Sequence, residues 1–184
     1  MAVQRLTIDG YGQLELNQVA FRRDGRIEAQ VDLANGLAAV ENGMLLSVNK
    51  ATKKVGLPAA DGTDKLIALN YTAEHMYDER TPQLKNFRLL AGEFRPRLGY
   101  LAIGDRFTTN CLAYDDSETG FTTEANVKTK LAAFATTPVY GGICTNGAIK
   151  VSASKPTYGP VLQVVDYTTM PDGQIACKFV VLAD

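Results

Sequence analysis

The sequence predicts a mainly β protein: a β-sandwich or barrel with one short helix and an N-terminal β-hairpin extension. Three observations predict it. Pro160 to Tyr167 and Gln174 to Leu182 are β-branched-rich runs joined by Thr169-Met170-Pro171-Asp172-Gly173, a turn composition. Ile27, Ala29, Val31 and Leu33 alternate with Glu28, Gln30 and Asp32, the period-two pattern of a half-buried strand. Asp24-Gly25, Asn42-Gly43, Asp61-Gly62 and Asn146-Gly147 stand between such runs and supply the positive φ that tight turns require.

Taken in order, Leu6 to Ile8 and Leu14 to Leu16 are two short alternating pieces. Val19 and Phe21 alternate ahead of Arg23-Asp24-Gly25-Arg26, so residues 19–33 read as a hairpin whose tip carries Arg22, Arg23 and Arg26. Asn42-Gly43 opens a strand over Met44 to Val48, and a loop at Asn49 to Lys53 returns the chain through Lys54 to Leu57 as a second hairpin. Lys65 to Tyr71 resumes a strand, and Leu98 to Ile103 and Phe107 to Tyr114 are strands by composition. Thr123 is placed to cap a helix over Glu124 to Thr136, with Val127, Leu131 and Phe134 on one face. The organisation expected is an arm at residues 1–36 and a β-rich core at 37–184, with a long contact loop at 72–97.

Size and charge narrow the function classes. A chain of 184 residues is one domain's length and buries enough surface to fold without disulfide or metal. Nineteen basic and twenty acidic residues leave a net charge of −1, which provides no field for nucleic acid or anionic lipid, so neither partner is expected. The alternating amino terminus matches neither a signal peptide nor a membrane span, so a product made and used in the cytosol, or leaving it by lysis, is expected. Cys111, Cys144 and Cys177 are odd in number and lie in apolar runs, as buried free thiols would.

Chemistry is sparse. There is no phosphate-binding loop or dinucleotide fingerprint; Tyr140-Gly141-Gly142-Ile143 opens a strand. One histidine and no Cys-x-x-Cys leave no zinc site of the usual spacing. His75 lies beside Glu74, Asp78 and Glu79, within reach of general-base chemistry, but no nucleophile motif accompanies it, and a contact or loop role is the plainer reading. Asp115-Asp116-Ser117-Glu118 clusters oxygens as calcium ligands do, yet matches no defined loop and reads as a solvated acidic turn. The expectation is a non-enzyme without cofactor or metal.

Residues 71–107 carry Tyr71, Tyr77, Phe87, Phe94, Tyr100 and Phe107 together with His75, and residues 72–97 lack strand or helix periodicity. Long irregular segments in compact domains usually make contacts. The segment from Arg80 to Arg106 carries a net +4, and that from Phe107 to Asn126 a net −4. Such blocks suit self-association or docking on a patterned partner; equally, they neutralise each other within one molecule. Arginines and aromatics being the commonest interface anchors, the protein-contact candidates are Arg22, Arg23, Arg26, Tyr71, His75, Tyr77, Arg80, Phe87, Arg88, Phe94, Arg95 and Arg97.

The strand VENGMLLSV, the segment ALNYTAEHMYDERTPQLKNF and the run RLGYLAIGDRFTTNCLAYDD, together spanning roughly Val40 to Asp116, resemble small β-rich virion proteins of tailed bacteriophages. The nearest type is the capsid decoration (cement, auxiliary head) protein. That resemblance implies a virion structural protein, made in the bacterial cytoplasm, which binds the outer capsid surface, contacts the major capsid protein or other virion proteins, and forms a homo-oligomer. It implies no catalytic residues. The greater length and the arginine-tipped hairpin depart from the small decoration proteins. Two other readings stand beside it: a tail, neck or head-fibre component, and a glycan- or ligand-binding β-module.

Overall fold

The computed structural model describes residues 3–59, 62–63, 66–73, 84–93 and 95–183. Among these the chain is mainly β, with two mixed sheets and a separate two-stranded pairing, and it does not close into a barrel.

The strands are β1 (Val3–Arg5), β2 (Leu14–Gln18), β3 (Ile27–Glu28), β4 (Asp32–Leu33), β5 (Ala39–Val40), β6 (Leu45–Asn49), β7 (Lys54–Gly56) and β8 (Ile67–Asn70). Then follow β9 (Leu89–Leu90), β10 (Leu98–Gly99), β11 (Arg106–Thr109), β12 (Leu112–Asp115), β13 (Tyr140–Gly142), β14 (Ile149–Ser152), β15 (Val161–Thr169) and β16 (Ile175–Ala183). The larger sheet has the order β1-β12-β14-β13-β15-β16-β11-β2, the smaller β3-β10-β8-β6-β7-β4, and β5 pairs with β9. Strands β12 and β14, and β4 and β7, run parallel; the other pairings are antiparallel.

Alternation along β6 and β8 shows how the layers stack. Leu45 and Leu69, paired in register, join Phe107, Ile149, Leu162 and Phe179 of the larger sheet in one apolar cluster. Their neighbours Leu46 and Ala68, also paired, face the other way into a second cluster with Val31, Val40, Val55, Leu89 and Leu98. The smaller sheet is therefore covered on both faces, which explains its near-continuous apolar runs. Gly141 and Gly142 stand in β13 because neighbours crowd them: a Cβ at Gly141 would lie 2.8 Å from Ile149 Cγ2, and one at Gly142 2.5 Å from Pro156 Cγ.

The terminal strand pair matches the sequence reading, with β15 and β16 antiparallel over nine residues each. The hairpin of β6 and β7 also forms. The helix α2 (Glu124–Ala132) starts where expected, with Thr123 Oγ1 accepting the Asn126 N–H at 3.3 Å, and buries Val127 and Leu131. It ends four residues early; Phe134 still packs on the core beyond it. Cys111, Cys144 and Cys177 are buried free thiols. Burial pushes the Cys111 thiol up to about 12.

The hairpin over residues 19–33 does not form. Ala20–Arg23 is instead a helical turn, α1, and β3 pairs with β10 rather than with residues 19–21. Asp24 N–H donates to Ala20 C=O at 2.9 Å and Arg26 N–H to Phe21 C=O at 3.0 Å, with Gly25 at φ +69°. The first is the last helical bond, and the second, spanning a left-handed glycine, is the 6→1 bond of a Schellman-type cap, so the Asp-Gly pair ends a helix rather than turning a hairpin. Both structures require positive φ at the glycine, which is why the local pattern fits either. Likewise Leu6 to Ile8 lies outside the strands, β1 falling at Val3–Arg5. The four strands within residues 3–33 all pair with strands from later in the chain: β1 with β12, β2 with β11, β3 with β10 and β4 with β7.

Candidate functional site

Segment 72–97, read from the sequence as lacking periodicity, contains the 3-10 turn Leu84–Asn86 and strand β9 among its described residues, and its two ends are held together as a neck. Tyr71 N–H donates to Arg97 C=O at 2.9 Å, and Arg97 N–H to Thr72 Oγ1 at 3.0 Å. Thr72 Oγ1 in turn donates to Asn70 Oδ1 at 2.7 Å, tying the neck to the end of β8.

The turn α1 is docked against this neck by one side chain. Phe21 is fully buried, its ring centroid 5.0 Å from that of Tyr71. Gly99 of β10 makes room for it, since a Cβ there would come within 2.6 Å of the Phe21 ring. The buried Asp105 carboxylate holds the start of the turn: it accepts the Ala20 N–H at 2.6 Å and the Ala102 N–H at 2.9 Å. Val19, the residue before the turn, has no side-chain oxygen to do this, so Asp105, 85 positions beyond Ala20, caps the turn in its place.

This frame presents arginines from three parts of the chain. Arg22 and Arg23 project from α1, Arg97 from the neck and Arg106 from the start of β11, all exposed. Burial pushes the Tyr71 phenol up, against the opposing fields of Arg97 and Arg22. Arg23 pairs with Asp24 at 2.7 Å. The hydroxyls of Tyr71 and Tyr100 are buried and have no hydrogen-bond partner among the described residues.

The remaining contact candidates divide. Arg26 belongs to the frame, its guanidinium donating to the carbonyls of Tyr100 (3.0 Å) and Leu101. Phe87 is 6% exposed and so is spent on the interior rather than offered to a partner. Arg88 is exposed and stacks over Tyr11, 4.8 Å from its centroid; Arg95 is exposed and pairs with Asp32 at 3.0 Å. His75, Tyr77, Arg80 and Phe94 lie outside the described residues.

Among the described residues no ion pair joins the +4 segment to the −4 segment. Lys85 pairs with Asp9 and Arg95 with Asp32, both outside the acidic block. In that block Glu124 pairs with Lys128 at 2.6 Å, Glu118 accepts from Ser152 Oγ and Ala153 N–H at 2.8 Å each, and Asp115 accepts from the Ser117 hydroxyl and N–H. The acidic turn is thus held by hydroxyl and backbone donors, and no metal-binding group of carboxylates, histidine or thiols occurs among the described residues.

A different arginine serves the interior. Arg5 makes a bidentate contact with Glu41 and reaches Cys111 Sγ at 3.6 Å, while Glu41 also accepts the Gly12 N–H at 2.5 Å. Nothing in the residue pattern distinguishes Arg5 from Arg22; the signal missing from the sequence is the approach of Glu41.

Comparison with protein-family models, with curated proteins and with solved structures finds no match to this chain.

Proposed function

We propose that this protein is a structural virion component that binds the outer surface of a tailed-phage capsid and stabilises it, docking on the major capsid protein through the neck of segment 72–97. The observation that carries this reading is the neck itself: Arg22, Arg97 and Arg106, drawn from three parts of the chain, stand exposed on a frame made rigid by Phe21, Gly99 and Asp105. A preformed backbone spares the cost of ordering a loop on binding, leaving that of the side chains, and repetition across a lattice makes modest single contacts sufficient. The two charge blocks, which no ion pair joins to each other among the described residues, suit a homo-oligomer or a patterned shell in the same way.

The test is co-sedimentation of purified protein with mature shells that lack it. Saturable binding at a regular stoichiometry is expected, weakening with added salt. The triple variant Arg22→Ala, Arg97→Ala, Arg106→Ala should bind at least about tenfold more weakly, two or three interfacial charges being worth that much or more. Wild-type protein that never pellets with shells overturns the proposal.

A second reading, a ligand-binding β-module, has one observation in its favour. Between β14 and residues 154–158 lies a cleft of about 210 Å³ lined by Lys150, Ser152, Ser154, Lys155 and Tyr158, with Tyr158 41% exposed.

A further inference from the structure

A groove of about 410 Å³ runs beside the tip of the β15–β16 hairpin, on the side where β11 stops. Its walls include Leu6, Ile8 and Ile175, with Asn110, Lys128 and Gln174 around them. Two features of this groove concern backbone chemistry.

The first is an interrupted ladder. In an antiparallel strand the N–H and C=O of one residue point to the same side, and successive residues alternate. Val181 donates to Asp105 C=O and accepts from Gly104 N–H, each at 2.9 Å, so Val181, Phe179 and Cys177 face β11, with Cys177 opposite Thr109. Gln174 C=O, of the other parity, accepts the Met170 N–H at 2.8 Å on the β15 side. Ile175 therefore directs its N–H and C=O to the β11 side, but β11 ends at Thr109 and the chain turns away at Asn110. Among the described residues neither group of Ile175 has a partner there.

The second is a buried donor without an acceptor. Asn110 is 1% exposed; its Oδ1 accepts the Gln13 N–H at 2.7 Å, which fixes the orientation of the amide, and its Nδ2 has no partner among the described residues. Buried polar groups are nearly always paired, so an exception beside a groove calls for an explanation.

We propose that this groove takes an extended, uncharged polypeptide segment from another protein, which continues the larger sheet along β16 where β11 leaves off. Ile175 supplies one donor and one acceptor to the incoming backbone, Asn110 Nδ2 supplies a donor to one of its carbonyls, and alternate side chains lie on Leu6 and Ile8. Strand addition of this kind uses main-chain bonds for affinity and side-chain contacts for selection. The rim charges are already matched, Lys128 with Glu124 and Asp9 with Lys85, so the groove favours a segment without net charge. The inference stands independently of the arginine-bearing neck and of any capsid.

The probe is the capped peptide acetyl-Thr-Val-Thr-Val-Thr-amide, titrated into ¹⁵N-labelled protein. Shifts are expected at the Ile175 amide, the Asn110 side-chain amide and residues 6–9, with slower hydrogen exchange at Ile175. The same peptide N-methylated at its central residue should bind about tenfold more weakly, because it loses a ladder bond and gains a clash. The variant Asn110→Asp keeps the acceptor for Gln13 and removes the donor, and should lose about fivefold in affinity; the N-methyl comparison uses wild-type protein alone and stands even if that variant fails to fold. No shift at Ile175 at the highest soluble peptide concentration, or equal binding of the N-methylated peptide, overturns the proposal. The same shifts appearing with rising protein concentration and no peptide would also overturn it, by assigning the groove to a second copy.

Discussion

The Arg5–Glu41 pocket and the arginine-bearing neck use one kind of side chain in two environments. Arg5 keeps 32% of its side chain exposed and Glu41 15%, and the pair is closed by Gly12 N–H and Cys111 Sγ. At the neck Arg22, Arg97 and Arg106 are exposed on a backbone that other residues fix. In the pocket the guanidinium holds the protein together; at the neck the protein holds the guanidinium out. Removing a partner should therefore damage folding in the first region and leave it nearly untouched in the second.

The largest expected effect is at Glu41. Glu41→Ala strands the Arg5 guanidinium and the Gly12 N–H, and should cost about 2–4 kcal/mol in urea unfolding, somewhat below the full cost of breaking a buried pair because Arg5 keeps some water contact. A loss under about 1 kcal/mol would place the pocket energetically with the surface.

Asp105 comes next. Asp105→Ala releases the Ala20 and Ala102 N–H groups, both in the neck's frame, and should cost about 2 kcal/mol in the same assay. It should also raise hydrogen exchange at residues 20–26, and unchanged exchange there would show that Phe21 alone docks α1.

The acid limb of stability sharpens the contrast from another side. Hydrogen bonding by Lys128 depresses the Glu124 carboxyl below its ordinary 4.5, and the Ser117 hydroxyl and N–H depress Asp115 below its ordinary 3.8. A carboxyl depressed on folding contributes stability that is fully present above its unfolded value and is lost as pH falls through its folded value. Stability should thus hold steady from neutral pH and decline below about pH 4.5, and Glu124→Gln should make that decline shallower when urea midpoints are followed with pH. A steeper decline in the variant would contradict the sign.

The smallest effect on stability belongs to the neck. The Arg22, Arg97 and Arg106 triple alanine variant should unfold within about 0.5 kcal/mol of wild type, whatever it does to the proposed shell binding. A large loss of stability would move these arginines into the pocket's category.

Much of the fold was legible, because strands and α2 carry periodic apolar patterns that burial rewards directly. The terminal strand pair, read at Pro160 to Tyr167 and Gln174 to Leu182 and found at Val161–Thr169 and Ile175–Ala183, follows from β-branched composition and turn residues, as do the β6–β7 hairpin and the Thr123 cap from local pattern. Residues 19–26 misled because Phe21 buried once, followed by a glycine at positive φ, satisfies a hairpin and a capped helical turn equally. Asp105, 85 residues away, settles it by accepting the Ala20 N–H. Among the contact candidates, the exposure of Arg22, Arg23 and Arg97 agrees with what arginine content suggests, whereas the interior roles of Arg26 and Phe87 left no sign in the sequence: both look like surface anchors until Leu101 C=O and the interior come into contact with them.

What the sequence determined by itself was the mainly β class, the β6–β7 and β15–β16 pairs, the Thr123-capped helix α2 and the buried state of three cysteines. Each depends on neighbours within a few positions or on average hydrophobicity. What only the tertiary structure decided was which arginine is interior and which is offered outward, where the neck closes, and that Ile175 is left at an open ladder end. Those outcomes rest on contacts between residues tens of positions apart, such as Arg5 with Glu41 and Tyr71 with Arg97, and a directional hydrogen bond over such a separation leaves no periodic trace in the chain.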